Sequence, residues 1–283
     1  MNSFNVNCHP SMYADDLKLF VRVSDPTDFA LLQTGLDSLS EWSRDWQLVI
    51  AANKCSVLTV GSCLNSADFL IGSVQLPNVM PVLDLGVNVD SKLSFSQHIN
   101  SIVTTAHARA NLILKCFASG DPTSLCKAFT VYVRPLVEYC SPVWSPTSTS
   151  LINQVEAVQR RFTKRLRGFQ KLEYKARLEK LNLTTLELRR LCADLCLCYK
   201  IINGHVELNA DDFFELSPNR HTRGHNYKLA VKRSTLNVRR QFFSNRVVVP
   251  WNSLPPSIVN APSVKSFKQL ISCLDLSDFI NIV

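Results

Sequence analysis

The sequence contains no apolar run of the roughly 18–20 residues that a membrane-spanning helix needs. Its first ten residues are polar, and no basic segment followed by an apolar one marks a secretory signal. No Walker loop, GxGxxG motif or nucleophile–base arrangement is present. These absences predict an intracellular protein, nuclear or cytoplasmic, that does not bind a membrane.

Length and composition exclude several protein classes. The chain has 283 residues, of which 46% are hydrophobic, enough for one large domain or two modest ones with a true core. This excludes a disordered tail, a collagen-like repeat and a disulfide-held miniprotein. The ten cysteines form no CxxC pair, and several lie in apolar runs. We interpret them as reduced, buried thiols, with a disulfide framework or a zinc site as the alternatives.

Charge is distributed unevenly along the chain. Residues 1–105 carry 5 Lys+Arg and 10 Asp+Glu, whereas residues 106–283 carry 26 and 13. A balance of −5 followed by one of +13 is typical of a metal-using site beside a track for a polyanion. Two ordinary solvated surfaces would give the same numbers, so a motif is needed to decide.

Hydrophobic periodicity predicts an α+β fold. The first part should hold a tight hairpin over Cys8 to Val23, an amphipathic helix starting at Asp25-Pro26, and further short strands. Those strands are predicted at Cys55 to Val60, at Phe69 to Leu76 with a turn at Gly72, and at Asp84 to Val89. From about residue 95 helical patterns take over, at roughly 95–118, 121–140, 150–167, 171–181, 184–203 and, after a loop-rich segment 207–262, near 263–274.

The hairpin tip Tyr13-Ala14-Asp15-Asp16 is the sharpest local feature. Adjacent carboxylates repel each other, and a divalent cation shared between them relieves this cost. Two-metal nucleotidyl transfer needs acidic ligands that hold Mg²⁺ ions about 3.5–4 Å apart. An Asp-Asp pair is also common in ordinary turns, so the neighbouring residues must decide between the two interpretations.

Those neighbours resemble a known family. Tyr13 to Leu19 resembles the YxDD box of reverse transcriptases, in the form that non-LTR, LINE-type and jockey-like retrotransposons use. Further segments resemble that family in the same order along nearly the whole chain: Leu36-Asp37-Ser38-Leu39 with Trp42, Asn53-Lys54-Cys55, Leu85-Gly86-Val87, Tyr132-Val133-Arg134-Pro135, Val143-Trp144-Ser145-Pro146, Val158-Gln159-Arg160-Arg161-Phe162 and Val249-Pro250-Trp251-Asn252.

The resemblance implies roles for five residues. Asp15 corresponds to the carboxylate that binds the catalytic Mg²⁺ ions, and Asp16 to its neighbour with a supporting metal role. Tyr13 would support the nucleotide or the primer end. Lys54 would protonate pyrophosphate or steady the triphosphate, and Gly86 would form the primer-grip turn. A solvated lysine and a plain tight turn remain the alternatives for Lys54 and Gly86.

The resemblance also predicts what is incomplete. The family holds another metal-binding aspartate on an earlier strand, whereas Asp15 is the first acidic residue here. We therefore expect a C-terminal fragment of an RNA-directed DNA polymerase that is inactive alone, acting in the whole enzyme on an RNA template, a DNA primer and dNTP. Its expected parts are a partial antiparallel palm sheet (1–94) with an edge left open where the missing strands would pair, a helical thumb (95–205) and a basic, loop-rich extension (206–283). A non-catalytic nucleic-acid-binding module or a degenerate remnant are the alternatives, and the oligomeric state is left open.

Two basic segments are candidate nucleic-acid contacts. In the helix from Leu151, an apolar stripe is expected to be buried while Arg160, Lys164 and Arg167 share another face, with Arg161 and Arg165 beside them. A solvated basic face is the alternative. The loop region Arg220 to Arg246 mixes cations, Arg239 and Arg240 among them, with aromatic residues, which suits single-stranded or template RNA. Within it, Phe242 and Phe243 are expected to be core anchors.

Overall fold

The computed structural model describes residues 8–61, 67–117, 120–217 and 224–282. The chain divides into two compact units, Met1–Leu93 and Ser94–Val283. Each has its own hydrophobic core, and the two differ in secondary structure.

The first unit consists of three small antiparallel hairpins and one long helix. Each hairpin is a separate two-stranded sheet in the described residues. In chain order the elements are β1 (His9–Tyr13), β2 (Asp16–Phe20), α1 (Thr27–Asp45), a 3-10 turn (Ala52–Lys54), β3 (Leu70–Ile71), β4 (Val74–Gln75), β5 (Val82–Asp84) and β6 (Val87–Val89).

The core of the first unit is small. The buried side chains of Leu36 on α1, Phe69 and Leu76 form its centre, and Leu19 of β2 packs against them. The Asp25 side chain accepts from the Thr27 amide (2.6 Å) before the first turn of α1, and Asp28 accepts from the Ser24 and Asp25 amides. The helix start predicted at Asp25-Pro26 therefore lies within two residues of the observed one.

Several strand predictions in this unit need correction. The hairpin with its turn at Gly72 is confirmed, but Cys55 to Val60 forms only an isolated bridge from Val57 to Asn78. The stretch Asp84 to Val89, predicted as one strand, turns at Leu85-Gly86 and forms a hairpin. The alternation in β2 predicted one buried face, yet Leu17 is exposed, because a two-stranded sheet over so small a core leaves both faces partly open to water.

The second unit is helical. Its elements are α2 (Ser96–Cys116), α3 (Pro122–Tyr132), a 3-10 turn (Arg134–Val137), α4 (Ser141–Trp144), α5 (Thr149–Lys164), α6 (Tyr174–Leu181), α7 (Leu186–Ile202), α8 (Ala210–Phe213), α9 (Asn237–Gln241), α10 (Phe243–Arg246), α11 (Val248–Ser253), α12 (Pro256–Val259), α13 (Val264–Ser272) and a 3-10 turn (Ser277–Phe279).

The core of this unit is rich in aromatic side chains. Between α3 and α5, the rings of Phe129 and Phe162 stack with centroids 4.5 Å apart. Around α7, Tyr199 stacks on Phe267 of α13 at 4.3 Å, and Trp251 of α11 is fully buried beside them. Residues on both sides of position 205 thus share one hydrophobic core. The names palm, thumb and extension stay predictions.

Helix positions in the second unit follow the sequence pattern closely, with two exceptions. The helix predicted over 121–140 ends at Tyr132, because Pro135 cannot continue it and the chain passes into a 3-10 turn. The segment 207–262, predicted to be loop-rich, contains five short helices, α8 to α12, in its described residues. In the described ranges, no helix is both long and apolar enough to cross a membrane.

Candidate functional site

The two adjacent aspartates lie at the solvent-exposed tip of the first hairpin. Strands β1 and β2 pair in register with Tyr13 opposite Asp16, so Ala14 and Asp15 form a two-residue turn. Asp15, Asp16 and Tyr13 are all exposed, with 68% of the Tyr13 surface open to solvent. Both carboxylates are therefore accessible to a cation or to an incoming partner.

The turn holds an unfavourable backbone conformation. Ala14, at the first central position, has φ 53°, a left-handed value that glycine tolerates far better than alanine. A positive φ there belongs to the primed turns that match the twist of a tight hairpin. This turn is what lets consecutive aspartates project from one tip, since a straight strand would send them to opposite faces.

An ion pair links this hairpin to the turn that contains Gly86. Lys18 Nζ of β2 lies 2.5 Å from Asp84 Oδ1, the last residue of β5. The chain then turns at Leu85 (φ 43°) and Gly86 (φ 82°), two positive values that fit a type I′ hairpin turn. The structure thus brings two predicted site elements together, although an exposed ion pair contributes little stability.

Lys54 forms no ion pair or side-chain hydrogen bond with the hairpin tip among the described residues. It ends the 3-10 turn Ala52–Lys54, is exposed, and makes no ion pair in the described residues. Its assignment to pyrophosphate or triphosphate chemistry stays a prediction.

The described donors do not by themselves fit a two-metal site. Two adjacent carboxylates are present at the tip, but the described part of the chain gathers no group of three or more His, Cys, Asp and Glu side chains that could hold a metal ion. A polymerase site needs carboxylates from more than one strand. Asp15 and Asp16 could supply only part of such a ligand set.

The described cysteines also belong to no metal-binding group. The nine described cysteines are free thiols, and burial raises the pKa of the Cys192 thiol to about 11. The pKa of the neighbouring Cys196 and Cys198 is raised for the same reason. Cys196 and Cys198 are buried and Cys192 is half-buried, which fits the interpretation of this cluster as buried thiols.

Helices α2 and α5 lie side by side and run in the same direction. Gln154 Nε2 donates to Asn100 Oδ1 (2.6 Å), and Arg165 Nη1 donates to Asn111 Oδ1, both across 54 residues of sequence. Because both pairs have the same sequence separation, the helices are parallel and in register. Their carboxyl ends therefore lie at the same end of the helix pair.

Four exposed cations lie at that end. We call them the basic face: Lys115, Arg161, Lys164 and Arg165. Helix α2 contains no acidic residue, and the one acid of α5, Glu156, is fully buried. Cations here complement the negative ends of two helix dipoles, and phosphate oxygens could use the same charges. The apolar stripe predicted for α5 is confirmed, with Val155, Val158, Phe162 and Leu166 buried.

Arg160 and Lys164, four residues apart on α5, lie on one helical face but differ in exposure, and Arg167 lies beyond the end of the helix. Arg160 is half-buried, and its guanidinium carbon lies 5.0 Å from the centroid of the Tyr174 ring. Helix α5 ends at Lys164, so Arg167 is exposed in the turn before Gly168, whose φ is 84°. Tertiary packing on Tyr174 and the early helix end are the reasons for the difference.

Sequence reasoning missed a buried ionic network behind the basic face. Glu156 accepts from the Tyr174 hydroxyl and from the Leu186 and Glu187 amides at the start of α7, both at 3.2 Å. Burial raises the pKa of the Glu156 carboxyl, and these hydrogen bonds partly oppose the increase. A detectable signal was present: Glu156, Gln159 and Thr163 follow Ile152 at spacings of four, three and four.

Arg239 and Arg240 lie on the short helix α9, both exposed. Phe243 is buried, as expected of a core anchor, but Phe242 is exposed. The prediction that both phenylalanines are core was therefore wrong for Phe242. Arg220 and Arg223 lie outside the described residues.

Comparisons with known proteins link the chain to mobile elements. Over 163 residues, 55% of the chain, it is 25% identical to the RNA-directed DNA polymerase from mobile element jockey of Drosophila funebris. Over 161 residues it is 26% identical to a probable RNA-directed DNA polymerase from transposon X-element of Drosophila melanogaster. The chain is related to the reverse transcriptases of non-LTR retrotransposons. The resemblance predicted from the motifs is confirmed at this level.

Other comparisons set the extent of that relationship. The chain is 29% identical over 126 residues to an uncharacterized protein of Caenorhabditis elegans. The matched region covers 44% of the chain and 64% of that protein. The regions matched in the two polymerases span 18% of each. No protein-family model matches the chain, and no solved structure matches it significantly.

Proposed function

We propose that the chain is the C-terminal palm and thumb portion of a non-LTR retrotransposon RNA-directed DNA polymerase. The observation that carries this proposal is the hairpin tip: two adjacent exposed carboxylates at a strained two-residue turn, in a chain related to such polymerases. In the whole enzyme the partners would be an RNA template, a DNA primer and dNTP.

In this proposal Asp15 and Asp16 supply part of a magnesium ligand set. Mg²⁺, when held there with further carboxylates, would neutralise charge on the triphosphate. Both edges of the β1–β2 hairpin are unpaired in the described residues, so strands carrying those further ligands have a place to pair. Because the chain's own donor set is partial, we expect no polymerisation by the chain alone.

Primer extension tests this part of the proposal. Purified chain, a primed RNA template, dNTP and Mg²⁺ or Mn²⁺ should give no extended primer. Robust extension that is lost in Asp15→Asn would show that the chain already holds a complete metal site. The claim of a partial ligand set would then be wrong, while the polymerase assignment would stand.

The basic face would hold the primer–template duplex. Phosphates carry one negative charge each, and each cation that replaces a counterion contributes to the salt dependence of binding. Lys164 and Arg161 are exposed, project from the end of α5 and have no ion pair in the described residues, so they are free to contact phosphates. If the basic face is only a solvated surface, its cations should contribute nothing to the salt dependence of duplex binding.

A charge-matched pair of variants tests the basic face. Arg161→Gln with Lys164→Gln should weaken binding to an RNA–DNA duplex and reduce the slope of log K against log salt by about two, since each phosphate contact contributes about 0.9. Lys175→Gln with Lys180→Gln removes the same charge from exposed positions on α6 and should change the slope little. Equal effects of both pairs would show general electrostatics rather than a site.

A non-catalytic nucleic-acid-binding module is the second candidate function. The partial donor set at the tip favours it, since the basic face needs no metal. Asp15→Asn separates the two functions in part: duplex binding should be unchanged in either case, whereas Mn²⁺ binding measured by calorimetry should fall only if the tip holds a metal. Mn²⁺ binding that is identical with and without Asp15 would favour the module.

A further inference from the structure

The chain contains a long segment without acidic residues. Between Glu215 and Asp275 the sequence has no Asp or Glu. The Lys and Arg residues in this segment are Arg220, Arg223, Lys228, Lys232, Arg233, Arg239, Arg240, Arg246, Lys265 and Lys268. Such a run creates a positive potential that a polyanion would neutralise.

Structural ion pairs account for only part of this charge. Arg246 forms an ion pair with Asp194, in which Nε lies 2.8 Å from Oδ2. Lys232 Nζ lies 3.3 Å from Glu215 Oε2. Arg233, Arg239 and Arg240 are exposed and form no ion pair with the described residues. Packing and internal pairing therefore leave these three cations unexplained.

An exposed aromatic ring lies among them. Phe242 has 43% of its surface open to solvent, and the Arg239 guanidinium carbon lies 5.5 Å from the centroid of its ring. A single exposed apolar side chain is common at protein surfaces, so what distinguishes this ring is the arginine that lies beside it. Base stacking on an aromatic side chain, assisted by an arginine, is how proteins bind single-stranded nucleic acid.

The backbone around Phe242 is held in place on both sides. The next residue, Phe243, is buried, and its ring lies 5.8 Å from the ring of Phe214 in an edge contact. On the other side, Arg246 Nη1 donates to the Gln241 carbonyl at 2.9 Å, and Asn245 Nδ2 donates to the Arg239 carbonyl at 2.6 Å. Phe242 thus occupies a fixed corner between α9 and α10, which limits the ordering cost of binding.

We propose that Phe242, Arg239 and Arg240 form a binding site for single-stranded nucleic acid, with a base stacked on the phenylalanine and phosphates on the arginines. This deepens the proposed function, since it rests on the same class of partner, but it uses a different surface and a different form of nucleic acid. The exposed Leu236 and Val238 beside it would also suit a protein partner. The absence of acidic residues from this segment of the sequence favours the polyanion.

Fluorescence anisotropy with a labelled oligouridine tests the site in the full chain. Phe242→Ala should weaken oligouridine binding about fivefold to a hundredfold, the usual effect of removing one stacking platform. Binding to an RNA–DNA duplex should change much less. Phe242→Trp keeps a stacking surface and should bind within about threefold of the unmodified chain.

A matched control is Phe20→Ala, which removes another exposed phenylalanine, 54% open to solvent, from the first unit. It should leave oligouridine affinity unchanged, and circular dichroism should show that all variants fold. Unchanged affinity in Phe242→Ala, or no oligouridine binding at low salt by the unmodified chain, would overturn the inference. So would equal competition by polyglutamate, which would indicate a protein-like or general anion partner.

The outcomes for the two surfaces are separable. Loss of oligouridine binding in Phe242→Ala with normal duplex binding in the Arg161 and Lys164 variant would sustain this site and defeat the basic face. The reverse result would defeat this site alone.

Discussion

The two units of the chain differ in how much of their surface is buried. In Met1–Leu93, three short hairpins and one helix surround a core centred on Leu36, Phe69 and Leu76. In Ser94–Val283, residues far apart in sequence pack together, since α7 meets helices α11 and α13 around the fully buried Trp251. The acidic tip belongs to the sparsely packed unit and the cations to the densely packed one.

This difference indicates where the chain is stable and where it is adaptable. Two-stranded hairpins are marginal in water unless something packs on them. Local opening is easiest where few apolar contacts must be broken, so the hairpin tip should open far more readily than the helical core. A metal-binding tip that other strands complete would require an adaptable hairpin. A preformed surface for a duplex would require a stable helical unit.

The largest effect should come from the helical core. Trp251→Ala removes a fully buried ring whose Nε1 donates to the Tyr227 carbonyl at 2.9 Å, and should cost about 3–5 kcal/mol of unfolding free energy. Urea unfolding followed by circular dichroism measures it. Trp46→Ala, at a side chain 67% exposed on the other unit, should change the free energy by less than about 0.5 kcal/mol. Similar losses would erase the contrast between the units.

The buried network should rank next. Glu156→Gln replaces a carboxylate that accepts from the Tyr174 hydroxyl and two α7 amides by a group with one acceptor oxygen. We expect a loss of about 1–3 kcal/mol in the same urea experiment. Glu179→Gln on the exposed side of α6 should be nearly neutral. If Glu156→Gln left the free energy of unfolding unchanged, the network would contribute nothing to the stability of the second unit.

Acid should weaken the helical unit. His225 is buried with Nε2 3.1 Å from the Trp251 carbonyl oxygen, and burial lowers its pKa. The unfolded chain therefore takes up a proton near pH 6.5 while the folded chain does not, so stability falls as the pH drops below about 6.5. Thermal unfolding between pH 8 and pH 5 measures the slope, and His225→Asn should reduce it. If the pH dependence of stability were unchanged in His225→Asn, another titratable group would be responsible for it.

The smallest effect should come from the hairpin turn. Ala14→Gly relieves a left-handed backbone at φ 53° and should stabilise the hairpin by roughly 0.5 kcal/mol after the larger entropy of unfolded glycine is subtracted. Hydrogen exchange of the β1 and β2 amides measures it. Ala30→Gly places glycine inside helix α1, where its flexibility is unfavourable, and should destabilise the first unit. Faster exchange in Ala14→Gly would show that the turn is not strained.

Local patterns predicted the long helices well. The stripes on α2, α5 and α7 have a period near 3.6 and end up buried, because a long amphipathic helix has one way to hide its apolar face. Short strands were predicted unevenly: the first hairpin and the one that turns at Gly72 are confirmed, but two other strand predictions were wrong. Cys55 to Val60 has a strand-like composition, but pairing depends on a neighbouring strand that the local sequence does not specify.

The candidate site shows the same division. The motif Tyr13 to Asp16 placed the carboxylates at a hairpin tip, and the structure has them there. Spacing along α5 could not reveal that Arg160 would turn toward Tyr174, since that contact comes from a helix elsewhere in the sequence. The same limit applies to Phe242, whose exposure depends on which of two neighbouring rings reaches the core.

By itself, the sequence determined the carboxylate pair, the buried stripes of the long helices and the segregation of charge, because each depends only on residue order and short-range geometry. The tertiary structure alone decided which cations remain free, how α2 and α5 align, and which phenylalanine faces water. Those outcomes depend on contacts between residues far apart in the chain, where packing against a neighbour overrides local preference.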